Sequence, residues 1–153
     1  MKQWIISILI GSFSAILMGL YFYLIEQFTG KQLYTLLMNI DFLIELGKVN
    51  IWIAAFEFFL HTLVAIILVR VYIWTINLKK ITSKDKRMEW AALLAFLAFL
   101  TYFPLTTIAK TDTPAITDLA AVFDWFLGHV IFFFVLYYGV EKLLKKNKSS
   151  IRG

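Results

Sequence analysis

Residues 51–78 read IWIAAFEFFLHTLVAIILVRVYIWTINL. A run this long and apolar, whose acidic and basic residues are Glu57, His61 and Arg70, is a membrane-spanning helix by length, since about 17–25 residues suffice to cross a bilayer. Three further runs qualify, at about 3–27, 88–109 and 119–143. The whole chain agrees with that reading. It is 61% apolar and 16% charged over 153 residues, with a mean hydropathy of +0.78. A soluble domain carries about a quarter charged residues. The expected fold is therefore all-α, one polytopic membrane domain built as a four-transmembrane-helix bundle. The first run follows Lys2 in the manner of a signal peptide, but it stays apolar to Leu24 with no small-residue cleavage site, so it reads as an uncleaved helix.

The charges orient the bundle. Lys79, Lys80, Lys84, Lys86 and Arg87 crowd the loop between the second and third spans. Lys142, Lys145, Lys146, Lys148 and Arg152 crowd the end, with residues 144–153 forming a basic tail. The other two loops set Lys31, Lys48 and Lys110 against Glu26, Asp41, Glu45, Asp112 and Asp118. Basic loops stay in the cytoplasm, which places both termini inside a bacterial cytoplasmic membrane. The net charge of +5 is then topogenic, with some attraction to anionic lipid, and nucleic acid is not an expected partner. No cysteine is present, which excludes disulfides, thiol catalysis and cysteine-held metal.

In the first outer loop Leu33, Leu36, Leu37, Ile40, Leu43 and Ile44 recur at helical spacing, with Gly47 as a stop. This predicts a short amphipathic helix over about 32–46, lying on the outer membrane surface or capping the bundle, with a lid over a site as the sharper reading. The second outer loop, AKTDTPAITD, is a turn, and Thr117 or Asp118 caps the last span. Small residues mark packing faces in lipid: Gly11, Ala15 and Gly19 in the first span, Ala54 and Ala65 in the second, Ala91, Ala95 and Ala98 in the third, Ala121 and Gly128 in the fourth. The same stripes equally suit a homo-oligomer or a membrane-protein partner. Trp4, Trp52, Trp74 and Trp90 sit near span ends, where indoles favour the interface, and Trp125 lies deeper.

The last span opens DWFLGHVIFFF, and Asp124 and His129 are costly there. Glu57 and His61, four residues apart, share a face of the second span. Arg70 lies on the opposite face and snorkels toward headgroups. Counted at about 1.5 Å per residue, the two carboxylates match in depth, and so do the two histidines. Pro104 frees a backbone carbonyl in the third span, near the hydroxyls of Thr101, Tyr102, Thr106 and Thr107. Glu57, His61, Pro104, Asp124, Gly128 and His129 thus form one candidate buried polar cluster.

Several chemistries suit such a cluster. Glu–His and Asp–His pairs can simply bond helices together. Histidine beside carboxylates can respond to or relay protons. Glu57, His61, Asp124 and His129 are ligand types for a divalent metal, and His61 with His129 suits haem b held between two helices. No nucleophilic triad, phosphate loop or H-E-x-x-H occurs, so nothing in the motifs points to an enzyme. An accessory or immunity-type interaction protein, with a purely structural cluster and the 32–46 helix as its contact, is the remaining class.

The run FPLTTIAKTDTPA followed by DWFLGHVIFFF resembles the C-terminal part of the YagU-like family of small bacterial inner-membrane proteins. The matching positions are Phe103, Pro104, Leu105, Gly128 and His129, with His61 similar to a histidine of the preceding long span and IGSFSAILMGL similar in kind to the first. The first outer loop here is shorter, and Glu57 and Asp124 are not carried over from the resemblance. The resemblance implies a link to tolerance of acidic conditions.

Overall fold

The computed structural model describes residues 2–41 and 51–149, with side chains over 3–41 and 51–143. Among the described residues six helices follow in order: α1 (Lys2–Thr29), α2 (Leu33–Met38), α3 (Ile51–Leu78), α4 (Lys84–Phe99), α5 (Tyr102–Ile108) and α6 (Leu119–Ser149). No strand occurs among the described residues. Gln3–Thr29, Ile51–Leu78, Lys84–Ile108 and Leu119–Leu143 are each long and apolar enough to cross a membrane.

Helix α1 is the hub, packed along both α3 and α6, while α4 packs on α6 and touches α3 sparingly. Half of the most apolar stretch of α1 is buried, against 6% for α3. The composition of α1 explains this. Ser7 and Ser14, both fully buried, return their hydroxyls to the carbonyls of Gln3 (3.0 Å) and Ile10 (2.7 Å), so they pack as small residues with their polarity satisfied. A Cβ on Gly11 would stand 2.5 Å from the Ile66 backbone of α3. Ala15 is fully buried, and Gly19 faces Met38 and Phe58. The small stripe of the first span is therefore the seam of the bundle. Ala65, Ala91, Ala95 and Ala121 are buried as expected; Ala54 is exposed and takes no part in packing.

The third long segment starts earlier than expected and is broken. Ser83 caps α4 by accepting from the Lys86 amide, and Asp85 favours the first turn, so helix begins at Lys84 rather than near Met88. Pro104 has no N–H to give to Leu100, four residues back, and the helix parts at Leu100–Thr101. Trp125 of α6 reaches this break: its indole N–H donates to the Phe99 carbonyl at 3.1 Å.

The helix after α1 is short. Gly30, with φ +73°, ends α1 in a left-handed turn. Glu26 then caps α2 from α1, accepting from the amide (2.8 Å) and hydroxyl (2.9 Å) of Thr35. Leu33, Leu36 and Met38 are buried against the bundle end, as a capping helix requires. Helix is observed over Leu33–Met38 and stops there, because Asn39 turns to an extended backbone (ψ 125°), so residues 39–41, expected to be helical, are not; positions 42–46 of the expected element, and residues 150–153 of the basic tail, lie outside the described residues. Asp118 starts α6, its carboxylate accepting from the amides of Ala120 and Ala121, both at 3.0 Å.

Candidate functional site

Because α4 stands away from α3, a cavity of about 580 Å³ remains between α3, the α4–α5 break and α6. Its walls are apolar. Leu63, Val64 and Ile67 of α3 and Leu97 of α4 line it and are also exposed on the outer flank of the bundle, so the cavity opens sideways between these two helices. Leu37, Met38, Asn39 and Ile40, at and beyond the end of α2, roof it as a lid. Trp125 and Phe132, both buried, form the inner wall. The side chains in this lining that carry polar chemistry for a ligand are Asn39, Glu57, His61, Thr101 and His129.

His129 is the most enclosed of these, 5% exposed, with its ring against those of Trp125, Phe99 and Phe22. Its Nδ1 lies 2.8 Å from the Trp125 carbonyl. A carbonyl only accepts, so Nδ1 carries the hydrogen and the neutral ring keeps its lone pair on Nε2. His129 also lines a second cavity of about 270 Å³ between α4 and α6 and so stands between the two. His61 lies within electrostatic reach of His129, and its Nε2 is buried with no hydrogen-bond partner. Such an orphan costs about 1–3 kcal/mol and asks for an explanation. Glu57 is half-buried one turn away on the same wall.

The four-residue cluster expected from the sequence does not form. Glu57, His61 and His129 meet in the cavity, but Asp124 is bound elsewhere, 3.0 Å from the Lys31 ammonium. Asp124 and His129 are five residues apart, about 140° around the helix, so one helix cannot turn both into the same space. Among the described residues no group of three or more His, Asp or Glu side chains stands close enough to hold a metal ion, and of Glu57, His61, Asp124 and His129 the last-span carboxylate is the one paired elsewhere. For the haem arrangement, Nδ1 of His129 is taken by the Trp125 carbonyl, while Nε2 of His61 is buried without a hydrogen-bond partner. Gly128 is a packing position: a Cβ there would lie 2.2 Å from the ring of Phe22, which stacks on Trp125 at 4.9 Å. Pro104 is exposed and acts through the helix break alone. Tyr102 donates to the Ala115 carbonyl, and Thr106 and Thr107 bond back to carbonyls of their own helix, so none of these hydroxyls faces the site. Arg70 donates to Gln3 and lies over the Trp4 ring, away from the cavity.

Trp125 and Asn39 were not recognisable as site residues from spacing. The depth of Trp125, away from the span ends where indoles normally sit, was the available signal.

A latch holds the lid. Asp41 accepts from the amides of Lys110 (3.0 Å) and Thr111 (2.6 Å), and Asn39 donates to the Thr111 hydroxyl (2.9 Å), tying the segment after α2 to the second loop. Burial pushes the Asp41 carboxyl up, but the amides of Lys110 and Thr111 together with the side chains of Asn39 and Thr111 outweigh it and hold it below the usual carboxylate range. A carboxylate with a depressed folded-state pKa stabilises above its unfolded value, near 3.9, and that contribution is lost as pH falls through the folded value. The latch is therefore closed at neutral pH and opens only in strong acid. Asp41→Ala should speed amide exchange at Lys110 and Thr111 by about tenfold to a hundredfold at neutral pH, the range for hydrogen bonds to a charged group. In wild-type protein the protection of these two amides, relative to the intrinsic exchange rate at each pH, should fall to the level of Asp41→Ala only below about pH 4.

No family model matches the chain, and no curated protein or solved structure is detectably similar to it.

Proposed function

We propose that this is a non-enzymatic protein of a bacterial cytoplasmic membrane, crossing it four times with both termini inside, that binds a lipid-soluble molecule in the cavity between α3, α4 and α6. The orientation rests on the basic residues around Lys79–Arg87 and the acidic loops at the opposite end. The observation that carries the binding reading is the cavity itself. Its size falls among small-molecule sites, which are about 300–1,000 Å³, mostly apolar, with a few placed polar groups. Its opening faces where acyl chains would lie.

Trp125 lines the cavity and reports on it. In a variant retaining Trp125 alone, with Trp4, Trp52, Trp74 and Trp90 changed to Phe, 1-bromododecane should quench the fluorescence saturably, and Ala98→Phe, which fills the cavity wall, should remove the saturable part. Quenching that rises linearly and is the same in Ala98→Phe would sink the reading.

A response to protons is a second reading, favoured by one observation: Glu57 makes no hydrogen bond among the described residues and shares the cavity with two imidazoles. It requires bromododecane occupancy to change between about pH 5 and 8, where histidine chemistry operates, and His129→Phe to flatten that change. A flat wild-type profile rules it out.

A further inference from the structure

We infer that the ligand is a neutral, single-tailed molecule whose head is a flat ring bearing a hydroxyl, of the alkylphenol or quinol class, and that this hydroxyl donates to Nε2 of His129. The inference rests on the binding reading above and names the chemistry of that same site.

The first argument is the direction of the hydrogen bond. Nδ1 of His129 is committed to the Trp125 carbonyl at 2.8 Å, which leaves Nε2 as a lone pair. A head that only accepts, such as a ketone, an ester or an ether, gains nothing from it. A hydroxyl does.

The second argument is charge. Among the described residues no Lys or Arg lines the cavity, and Lys31 is held by Asp124. Glu57 stands on the wall. A phosphate or carboxylate head would enter an apolar space beside another carboxylate and find no cation, an arrangement that strongly disfavours burial. Ordinary anionic phospholipids and fatty acids are excluded on this ground.

The third argument is shape. The inner wall carries the indole of Trp125 and the ring of Phe132, surfaces on which an aromatic head packs face or edge. On the opposite side the lining is open between Val64 and Leu97, so an apolar tail can stay among lipid chains while the head sits inside. This is the geometry of a site loaded from the bilayer.

The test uses the full chain in phosphatidylcholine nanodiscs, with displacement of 1-bromododecane from Trp125 as one readout and the ¹⁵N resonance of His129 Nε2 as the other. The probes are 4-decylphenol, its methyl ether 4-decylanisole, decyl phosphate and decylamine. The phenol should displace bromododecane at about tenfold lower concentration than the anisole, the scale of one net hydrogen bond. It alone should move the Nε2 resonance, and His129→Phe should bring it to the anisole's level. Equal displacement by phenol and anisole overturns the inference, as does stronger displacement by the phosphate or the amine; in each case the binding reading stands. Displacement by none of the four, with no saturable bromododecane quenching, overturns the binding reading itself.

Discussion

Gly11→Leu should leave no properly assembled bundle. A Cβ at this position would meet Cα of Ile66 at 2.5 Å and its backbone N at 2.7 Å. Backbone atoms in the middle of α3 cannot step aside as a side-chain tip can, so α1 and α3 must separate. In lipid there is little hydrophobic force to compensate, because helix association depends on close van der Waals contact. Since α1 also carries α6, the disturbance spreads through the hub. Gly11→Ala should already cost about 1–3 kcal/mol, the range for overpacking. Two other glycines grade the effect. Gly139→Ala meets only the tip of Ile10, at 2.6 Å, which can rotate away. Gly19→Ala finds side chains no nearer than 3.6 Å, ordinary contact, and alanine is the better helix former. Unfolding in mixed detergent micelles should rank stability as Gly19→Ala, Gly139→Ala, Gly11→Ala, with Gly11→Leu failing to elute as a single species. If Gly11→Leu behaves like Gly19→Ala, the seam is not at α1–α3.

That seam was legible because glycine and alanine at helical spacing have one physical use in an apolar helix. The spans were legible for the same kind of reason: length and hydropathy are local properties. The cap at Asp118 and the small lid helix were also written locally. The candidate site was legible only in part. Depth along a helix follows from counting residues, and it placed the two histidines together. Depth says nothing about azimuth between helices, and equal depth did not bring Asp124 to His129; the 140° between them on α6 was the better guide. Glu57 and His61, about 40° apart, do share the cavity wall. The partner of Asp124 was out of reach of any such count, because Lys31 arrives from a loop whose path depends on the left-handed turn at Gly30. The cavity was equally invisible. It exists because α4 packs on α6 and stands off from α3, a tertiary outcome that no single span encodes.

Glu141→Ala is the second change with a large expected effect, at the opposite end from the lid. Arg87 Nε lies 3.1 Å from Oε1 of Glu141, with the two side chains 18% and 11% exposed, joining α4 to α6. The contact is ionic in character, since those two atoms lack the alignment of a good hydrogen bond. Tyr72 of α3, fully buried, donates to the Arg87 carbonyl at 3.1 Å and brings the third helix to the same point. On sequence Arg87 is one more topogenic charge; in the fold it is a joint. Removing its partner leaves a guanidinium largely out of water, which typically costs about 3–5 kcal/mol. The residual exposure of both groups argues for the lower end of that range. Glu141→Gln keeps the shape and loses the charge, and should fall between wild type and Glu141→Ala. The double change Arg87→Met/Glu141→Leu should recover most of the loss, because well-packed apolar pairs replace buried ion pairs at little cost. A double-mutant cycle on unfolding free energies measures the coupling directly. A value under about 1 kcal/mol would mean that the pair behaves as a surface salt bridge, and that Tyr72 and the small-residue seam hold this end without it.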